Sequence, residues 1–172
     1  MSETRIVGID PGTNGAMAFL TLSGSLENCV DLPGVGTEPL ALDVLGLLEA
    51  FAPLDRLFVG VEAPFAIASN ASSAALSQGI GYGKLLGVLE SHEIRYWPIR
   101  PADWKERLGV PMAKGMTHRE RKQGSFDVAT ALWGPKEAKR YWPLRKHDGR
   151  AEAALIAEYA RLTYLDNEGT PE

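Results

Sequence analysis

The sequence predicts a single α/β domain built on a mixed β-sheet, and three observations support this fold class. Short apolar runs bounded by turn residues alternate with longer segments that have helical apolar spacing. The first two runs, 6–10 and 16–22, are separated only by a turn, which is typical of antiparallel neighbours. A later run, Leu57 to Glu62, comes after a helical segment, as strands of parallel pairs do.

Length and composition favour one soluble domain. A chain of 172 residues is large enough to bury a real core, and we expect one domain over 1–166 with a frayed tail at 167–172. Its apolar fraction is 45% and its charged fraction 23%, and no apolar run approaches the ~20 residues that span a bilayer. The N-terminus lacks the pattern of a signal peptide, and the single cysteine, Cys29, fits a reducing cytoplasm. We therefore expect a cytoplasmic protein without a membrane segment.

The first half of the chain contains four predicted strands and one clear helix before residue 63. The opening strand ends at Asp10, residues 11–15 have turn chemistry, and the second and third strands cover 16–22 and 26–32. Residues 39–51 have apolar side chains at helical spacing, and Pro53 ends that helix. The fourth strand is the run from Leu57 to Glu62, which Pro64 prevents from continuing.

The second half is predominantly helical. A helix is predicted within 69–90, where Gly79, Gly81, Gly83 and Gly87 would allow close packing on the sheet. A fifth strand is predicted over 94–99. Three further helices are expected at 101–108, from 117 to a stop at Gly134-Pro135, and from about 148 to 165.

Charge is distributed unevenly along the chain. The net charge is −4, yet residues 95–146 contain thirteen Lys and Arg against five Asp and Glu. Residues 1–94 contain three basic residues against eleven acidic ones. This asymmetry predicts a basic surface that faces a polyanion such as nucleic acid, beside an acidic pocket. A solvated helical face would give the same pattern.

Four acids form the candidate site. Asp10 and Glu62 each end a buried strand, where an unpaired carboxylate is costly, while Asp148 and Glu152 share one face at the start of a helix. Individually, each has an ordinary explanation as a turn, capping or first-turn residue. Together they offer the oxygen ligands that Mg²⁺ and Mn²⁺ prefer, and two such ions can catalyse phosphodiester hydrolysis. His147 is a further candidate ligand.

Three blocks of this sequence resemble a known family. GIDPGTNGA, VEAPFA and DGRAEAALIAEY, in this order and spacing, resemble the RuvC-type Holliday junction resolvases and especially their phage-like members. The resemblance covers Ile6 to about Leu165. It implies an RNase H-like fold, with a mixed five-stranded sheet flanked by helices. It also implies Mg²⁺-dependent cleavage of branched DNA by a homodimer that makes paired nicks, with catalysis by Asp10, Glu62, Asp148 and Glu152.

The resemblance also implies three DNA-binding residues. Phe65 lies where family members place an aromatic side chain that stacks on junction bases, and stacking tolerates any base. Lys105 and Lys122 lie where the family uses lysines against the DNA backbone near the scissile phosphate. Both lysines could equally be solvated surface residues.

The sequence departs from the family pattern at one position. In the best-known members the last two acids are three residues apart, whereas here residue 149 is glycine and the acid is Asp148. Either Asp148 or His147 could therefore complete a second metal site.

Three other functions are compatible with parts of the sequence. An RNase H-like nuclease could act on RNA–DNA hybrids or flaps, and the basic segment does not distinguish these substrates from junctions. A junction-binding protein without catalysis is disfavoured because all four acids are present. An actin-like ATPase would need a second phosphate loop and about twice the length.

Overall fold

The sheet has five strands and is mixed, as the sequence predicts. A computed structural model describes residues 4–12, 14–32, 40–63 and 72–168. Its strand order is β3-β2-β1-β4-β5, with β1 antiparallel to β2, β2 antiparallel to β3, and β1–β4 and β4–β5 parallel. The strands are β1 (Arg5–Asp10), β2 (Ala16–Thr21), β3 (Leu26–Asp31), β4 (Leu57–Glu62) and β5 (Tyr96–Ile99).

All five predicted helices are present among the described residues. They are α1 (Leu40–Phe51), α2 (Ser72–Ser91), α3 (Pro101–Arg107), α4 (His118–Tyr141) and α5 (Asp148–Glu168). The helix predicted to stop at Gly134-Pro135 does break there, since Gly134 has φ 84° and ψ 167°, but helical structure resumes and reaches Tyr141. None of these helices, within the described ranges, is long and apolar enough to cross a bilayer.

The helices cover both faces of the sheet, and strand alternation decides which residue faces which helix. Along β1, Val7 and Ile9 point into a core formed with α1 and α2. Ile6 points to the opposite face and packs in a second core with α5, where the buried Cys29 also lies. Because alternate side chains share a face, Gly8 and Asp10 lie on the α5 side with Ile6.

Two glycines allow α5 to lie directly on the sheet. Gly8 and Gly60 are register partners on the parallel strands β1 and β4. A Cβ at Gly8 would overlap the Ala153 carbonyl oxygen and the Ala157 nitrogen of α5, and one at Gly60 would lie 2.8 Å from the Ala160 Cβ. The bare backbone at these two positions therefore fixes the depth at which α5 packs.

Three of the four α2 glycines, Gly79, Gly83 and Gly87, do not have this role, and for them the prediction of close packing on the sheet is wrong. Apart from the backbone of α2 itself, no atom of the described residues lies within 4 Å of a Cβ built on Gly79, Gly83 or Gly87. The helix packs through larger side chains on its other side, including Leu85 and Leu89. Glycines at helical spacing can lie on the packed face of a helix, but Gly79, Gly83 and Gly87 lie on the exposed face of α2.

Candidate active site

The fold brings the four predicted acids into one cleft. Asp10 ends β1 and Glu62 ends β4, and because these strands are parallel their carboxyl ends meet at the same edge of the sheet. Both side chains point towards α5, which begins at this edge with Asp148 and carries Glu152 one turn later. All four line an open cleft of about 1140 Å³.

The turn after β1 fixes the Asp10 carboxylate. The Gly12 backbone N–H donates to Asp10 Oδ1 at 2.9 Å, and the Gly15 N–H donates to the Gly12 carbonyl at 2.8 Å. The Leu32 N–H then donates to the Gly15 carbonyl at 2.8 Å, which ties the turn to the end of β3. The predicted turn is thus confirmed, and Asp10 is both its capping acceptor and a cleft residue.

The same turn explains why the acid stands at position 148 and not at 149. A Cβ at Gly149 would overlap the Asn14 carbonyl oxygen and would lie 3.4 Å from Asp10 Oδ2. The first turn of α5 therefore packs against the turn after β1 without room for a side chain at this position. The residue before it, Asp148, carries the carboxylate that lines the cleft.

Burial and mutual repulsion raise the pKa values of two of the acids. Desolvation raises the pKa of Asp10 to about 7, with the Glu152 charge adding to the rise and the Gly12 N–H opposing it. Desolvation also raises the pKa of Glu62 to about 8, followed by the charges of Asp10 and Glu152. Nearby Lys105 and Lys122 lower the Glu62 pKa only in part. The protein alone therefore leaves negative charge in the cleft incompletely compensated.

Helix α4 supplies two partners for the acids of α5. Lys122 Nζ lies 2.8 Å from Asp148 Oδ2 and 2.7 Å from Glu152 Oε2, while the Ser125 hydroxyl donates to Glu152 Oε1 at 3.0 Å. Burial alone would lower the pKa of Lys122, but the two carboxylates raise it above its usual range. The family resemblance implies a DNA contact for Lys122, and here its ammonium bridges two acids.

Ser125 was missed by sequence reasoning. It is completely buried, and it lies three residues after Lys122, so both side chains occupy the same face of α4. The available signal was a serine three residues after Lys122 inside a predicted helix, because serine has a low intrinsic preference for helix interiors. That signal alone does not say which neighbour the hydroxyl would meet.

The remaining predicted residues have different placements. Lys105 lines the cleft near Glu62, with its ammonium 4.9 Å from the centroid of the Trp104 ring. His147 is not among the residues that line the cleft, and its Nδ1 accepts the Leu144 N–H at 3.4 Å. Phe65 lies outside the described residues.

Basic side chains form one wall of the cleft, as the charge distribution predicts. They come from the segment that begins at Arg100, directly before α3, and ends in the first turns of α4. The start of α4 is fixed by a reciprocal cap in which Thr117 and Glu120 exchange hydrogen bonds. The cationic and histidine residues in the lining are Arg100, Lys105, Lys114, His118, Arg121 and Lys122.

Solved structures with the same architecture include two of RuvC. Thermus thermophilus RuvC in complex with a Holliday junction substrate is 20% identical, with a TM-score of 0.67 over 97% of this chain and 98% of that one. A second structure of Thermus thermophilus RuvC is 21% identical, with a TM-score of 0.65 and the same coverage. The chain has the RNase H-like fold of RuvC.

A viral protein shares this fold. The Fowlpox virus resolvase, solved with substrate Holliday junction DNA, is 15% identical, with a TM-score of 0.52 over 97% of this chain and 100% of that one. No protein-family model and no curated protein matches the sequence. The predicted fold is therefore confirmed by architecture, at identities where sequence similarity alone gives little signal.

Carboxylate oxygens are the ligand type that a hard divalent cation prefers, but the four acidic side chains do not converge on one point. Within 4–12, 14–32, 40–63 and 72–168, no group of three or more His, Cys, Asp and Glu side chains is arranged to hold a metal ion. Asp148 and Glu152 are instead drawn to the Lys122 ammonium. A buried set of carboxylate oxygens with surplus negative charge still fits Mg²⁺ or Mn²⁺ once the Lys122 ammonium has moved away from Asp148 and Glu152.

The raised pKa values predict that the metal-free protein loses stability as pH rises. Asp10 and Glu62 have ordinary values of 3.8 and 4.5 but folded values of about 7 and about 8. Between these values the folded state holds protons that the unfolded state has released. The stabilisation is complete at low pH and is lost as pH rises through the folded values, by up to about 1.4 kcal/mol per pH unit for each group.

Urea unfolding in EDTA at pH values from about 5 to about 8.5 measures this dependence. We expect the free energy of unfolding to fall across the range, and added Mg²⁺ to flatten the fall because it stabilises the ionised carboxylates. Glu62→Gln removes one of the two titrations and should reduce the slope. A free energy of unfolding that stays constant or rises with pH in EDTA would contradict the prediction.

Proposed function

We propose that this protein is a structure-selective endonuclease that resolves Holliday junctions or other branched DNA by metal-dependent phosphodiester hydrolysis. The observation that carries the proposal is the cleft itself. Four acids from the ends of β1 and β4 and the start of α5 line it together with the side chains of the basic wall. The proteins with this fold that were solved on Holliday junction DNA, RuvC and the Fowlpox virus resolvase, support the choice of substrate.

The four acids have distinct positions towards a bound metal. Asp10 is central, because β1 pairs with β4, which ends at Glu62, and because a Cβ at Gly149 in the first turn of α5 would lie 3.4 Å from Asp10 Oδ2. We assign Asp148, which lines the cleft, to the second metal position in preference to His147. When bound, Mg²⁺ or Mn²⁺ would activate water and stabilise the leaving oxygen.

The basic wall would hold the DNA backbone against the acids. Lysine and arginine side chains such as Lys105 and Arg121 can neutralise phosphates without reading sequence, so binding should weaken steeply with salt. Phe65, three residues after Glu62, remains our candidate for stacking on junction bases. Together these contacts select DNA shape in preference to sequence.

A homodimer would supply the two cleft copies that paired nicks require. One face of α2 carries the exposed side chains of Leu76 and Ile80, 65% and 50% exposed, together with the open positions Gly79, Gly83 and Gly87. These residues recur at helical spacing, and small residues let two helices approach closely. We propose a second copy of this chain as the partner of this face.

Ile80→Asp tests the dimer. We expect the variant to sediment as a monomer at micromolar concentration and to nick one strand per binding event, because a charge in an apolar helix interface is left unpaired. Leu132→Asp is the matched control, since Leu132 on α4 is 49% exposed but lies on another face. If Ile80→Asp and Leu132→Asp both keep the mass of the wild-type protein, α2 is not the dimer interface.

A nicking assay tests the function directly. The substrates are a mobile four-way junction, a linear duplex of the same sequence and an RNA–DNA hybrid, each with Mg²⁺ and with EDTA. We expect paired nicks in the junction with Mg²⁺ and none in EDTA. Equal cutting of duplex and junction, or preferential cutting of the hybrid, would contradict the proposal, and junction binding without cutting would indicate a non-catalytic protein.

A further inference from the structure

Glu152 has both carboxylate oxygens occupied by α4, and the two partners differ in kind. Oε1 accepts the hydroxyl of Ser125, which is completely buried. Oε2 contacts the ammonium of Lys122, whose side chain is 29% exposed and also reaches Asp148. One partner is short and fixed by packing, whereas the other is long, flexible and open to the cleft.

We propose that Ser125 is a positioning residue that makes Glu152 a one-oxygen metal ligand, and that Lys122 is a place-holder cation which cedes the other oxygen to the metal. The proposal rests on the proposed function in one respect, namely that the acids of this cleft bind a divalent cation. It goes beyond that function by assigning a positioning role to Ser125 and by proposing that the metal replaces Lys122 at Glu152 Oε2.

The surroundings of α4 decide which partner yields. A Cβ at Gly124, next to Ser125, would lie 3.0 Å from the Pro111 Cδ, so the backbone here packs tightly against the preceding loop. The Thr117 cap fixes the helix start. Ser125 has a single rotatable side-chain bond and cannot follow Glu152 if that residue turns. Lys122 has four such bonds and can swing from the acids towards the cleft without any movement of the helix.

Exchange at Oε2 balances charge locally. The Lys122 ammonium neutralises part of the Asp148 and Glu152 pair when no metal is bound, and leaving that pair without a cation would be costly in a buried site. A divalent cation replaces this charge and frees the ammonium for a DNA phosphate. Metal binding and the lysine–phosphate contact are thereby coupled, so each favours the other.

The two residues should therefore shift metal affinity in opposite directions. Mn²⁺ is titrated into the full chain without DNA, by calorimetry at about pH 7.5. For Lys122→Met we expect the dissociation constant to fall roughly 10-fold, within the range typical of coupled sites, because a competing cation is gone. For Ser125→Ala we expect it to rise roughly 5-fold, because Glu152 is no longer held with one oxygen towards the metal.

Charge loss and packing loss have matched controls. Lys114→Met removes a lysine from the same cleft away from Glu152, and should leave the Mn²⁺ dissociation constant within about 2-fold of wild type. Ser125→Cys keeps a weak donor on a somewhat larger side chain, and should recover part of the affinity that Ser125→Ala loses. It also serves as the test if the alanine variant fails to fold. In EDTA, Lys122→Met should melt at a lower temperature than wild type, and saturating Mn²⁺ should remove the difference.

The outcomes separate this inference from the proposed function. Absence of Mn²⁺ binding to the wild-type chain would overturn the metal-dependent function and the inference with it. Mn²⁺ binding that Lys122→Met weakens or leaves unchanged would overturn the place-holder role alone. Mn²⁺ binding that neither Ser125→Ala nor Ser125→Cys alters would overturn the positioning role alone, with the nuclease proposal unaffected.

Discussion

Asp10→Asn should abolish junction cleavage, by a factor on the order of 10³ or more, while junction binding stays at the wild-type level or tightens. Asp10 is 8% exposed, between the end of β1 and the acids of α5. Asparagine keeps the side-chain oxygen that accepts the Gly12 N–H, so the turn should persist. The substitution removes the central negative charge that metal ions need, and it also removes a charge that repels Glu152 and phosphate. Loss of cleavage with retained binding follows from these two consequences together.

Single-turnover cleavage and a binding titration on the same four-way junction measure the two effects. Asp31→Asn is the matched control, because Asp31 also ends a strand of this sheet but pairs with Arg150 at 2.6 Å and is absent from the cleft lining. We expect this control to cleave within about 3-fold of wild type. Cleavage by Asp10→Asn at a rate near that of the wild-type protein would remove Asp10 from the metal site.

Asp10 and Glu62 could be predicted from local pattern because a strand leaves little freedom. Once an apolar run is assigned as a strand, its period of two fixes the face of every side chain, and the end of the run fixes the edge. The spacing of Asp148 and Glu152 similarly places both on one side of a helix start. The resemblance to RuvC-type resolvases added the expected fold, which the solved structures of RuvC confirm.

The partners of these acids could not be predicted in the same way, because they depend on which helix packs where. Lys122 and Ser125 meet Glu152 across thirty and twenty-seven residues of chain, and nothing local distinguishes this lysine from others in the basic segment. The packing role of the glycines could not be predicted from local sequence either. Those of α2 and those of β1 and β4 look alike in sequence, yet a Cβ on Gly8 or Gly60 would meet α5, whereas one on Gly79, Gly83 or Gly87 would meet no described neighbour.

Gly8→Ala should be strongly destabilising although it adds only one methyl group. Its Cβ would overlap two backbone atoms of α5, at Ala153 and Ala157, and backbone inside a packed helix cannot rotate away as a side chain can. We expect the free energy of unfolding to fall by about 4 kcal/mol or more, and Tm to fall by roughly 8–16 °C. Urea and thermal unfolding in EDTA measure both quantities.

The effect of this glycine on the site follows from the same geometry. Lifting α5 from β1 would move Asp148 and Glu152, which lie on α5, away from Asp10 at the end of β1. Gly46→Ala is the control, because Gly46 is an exposed helical residue of α1, and no described atom lies within 4 Å of the place its new methyl group would take. That substitution should raise stability by about 0.5–1 kcal/mol through helix propensity alone. A Gly8→Ala variant as stable as Gly46→Ala would show that α5 does not rest on β1 at this depth, and the assignment of its two acids to the cleft would be wrong as well.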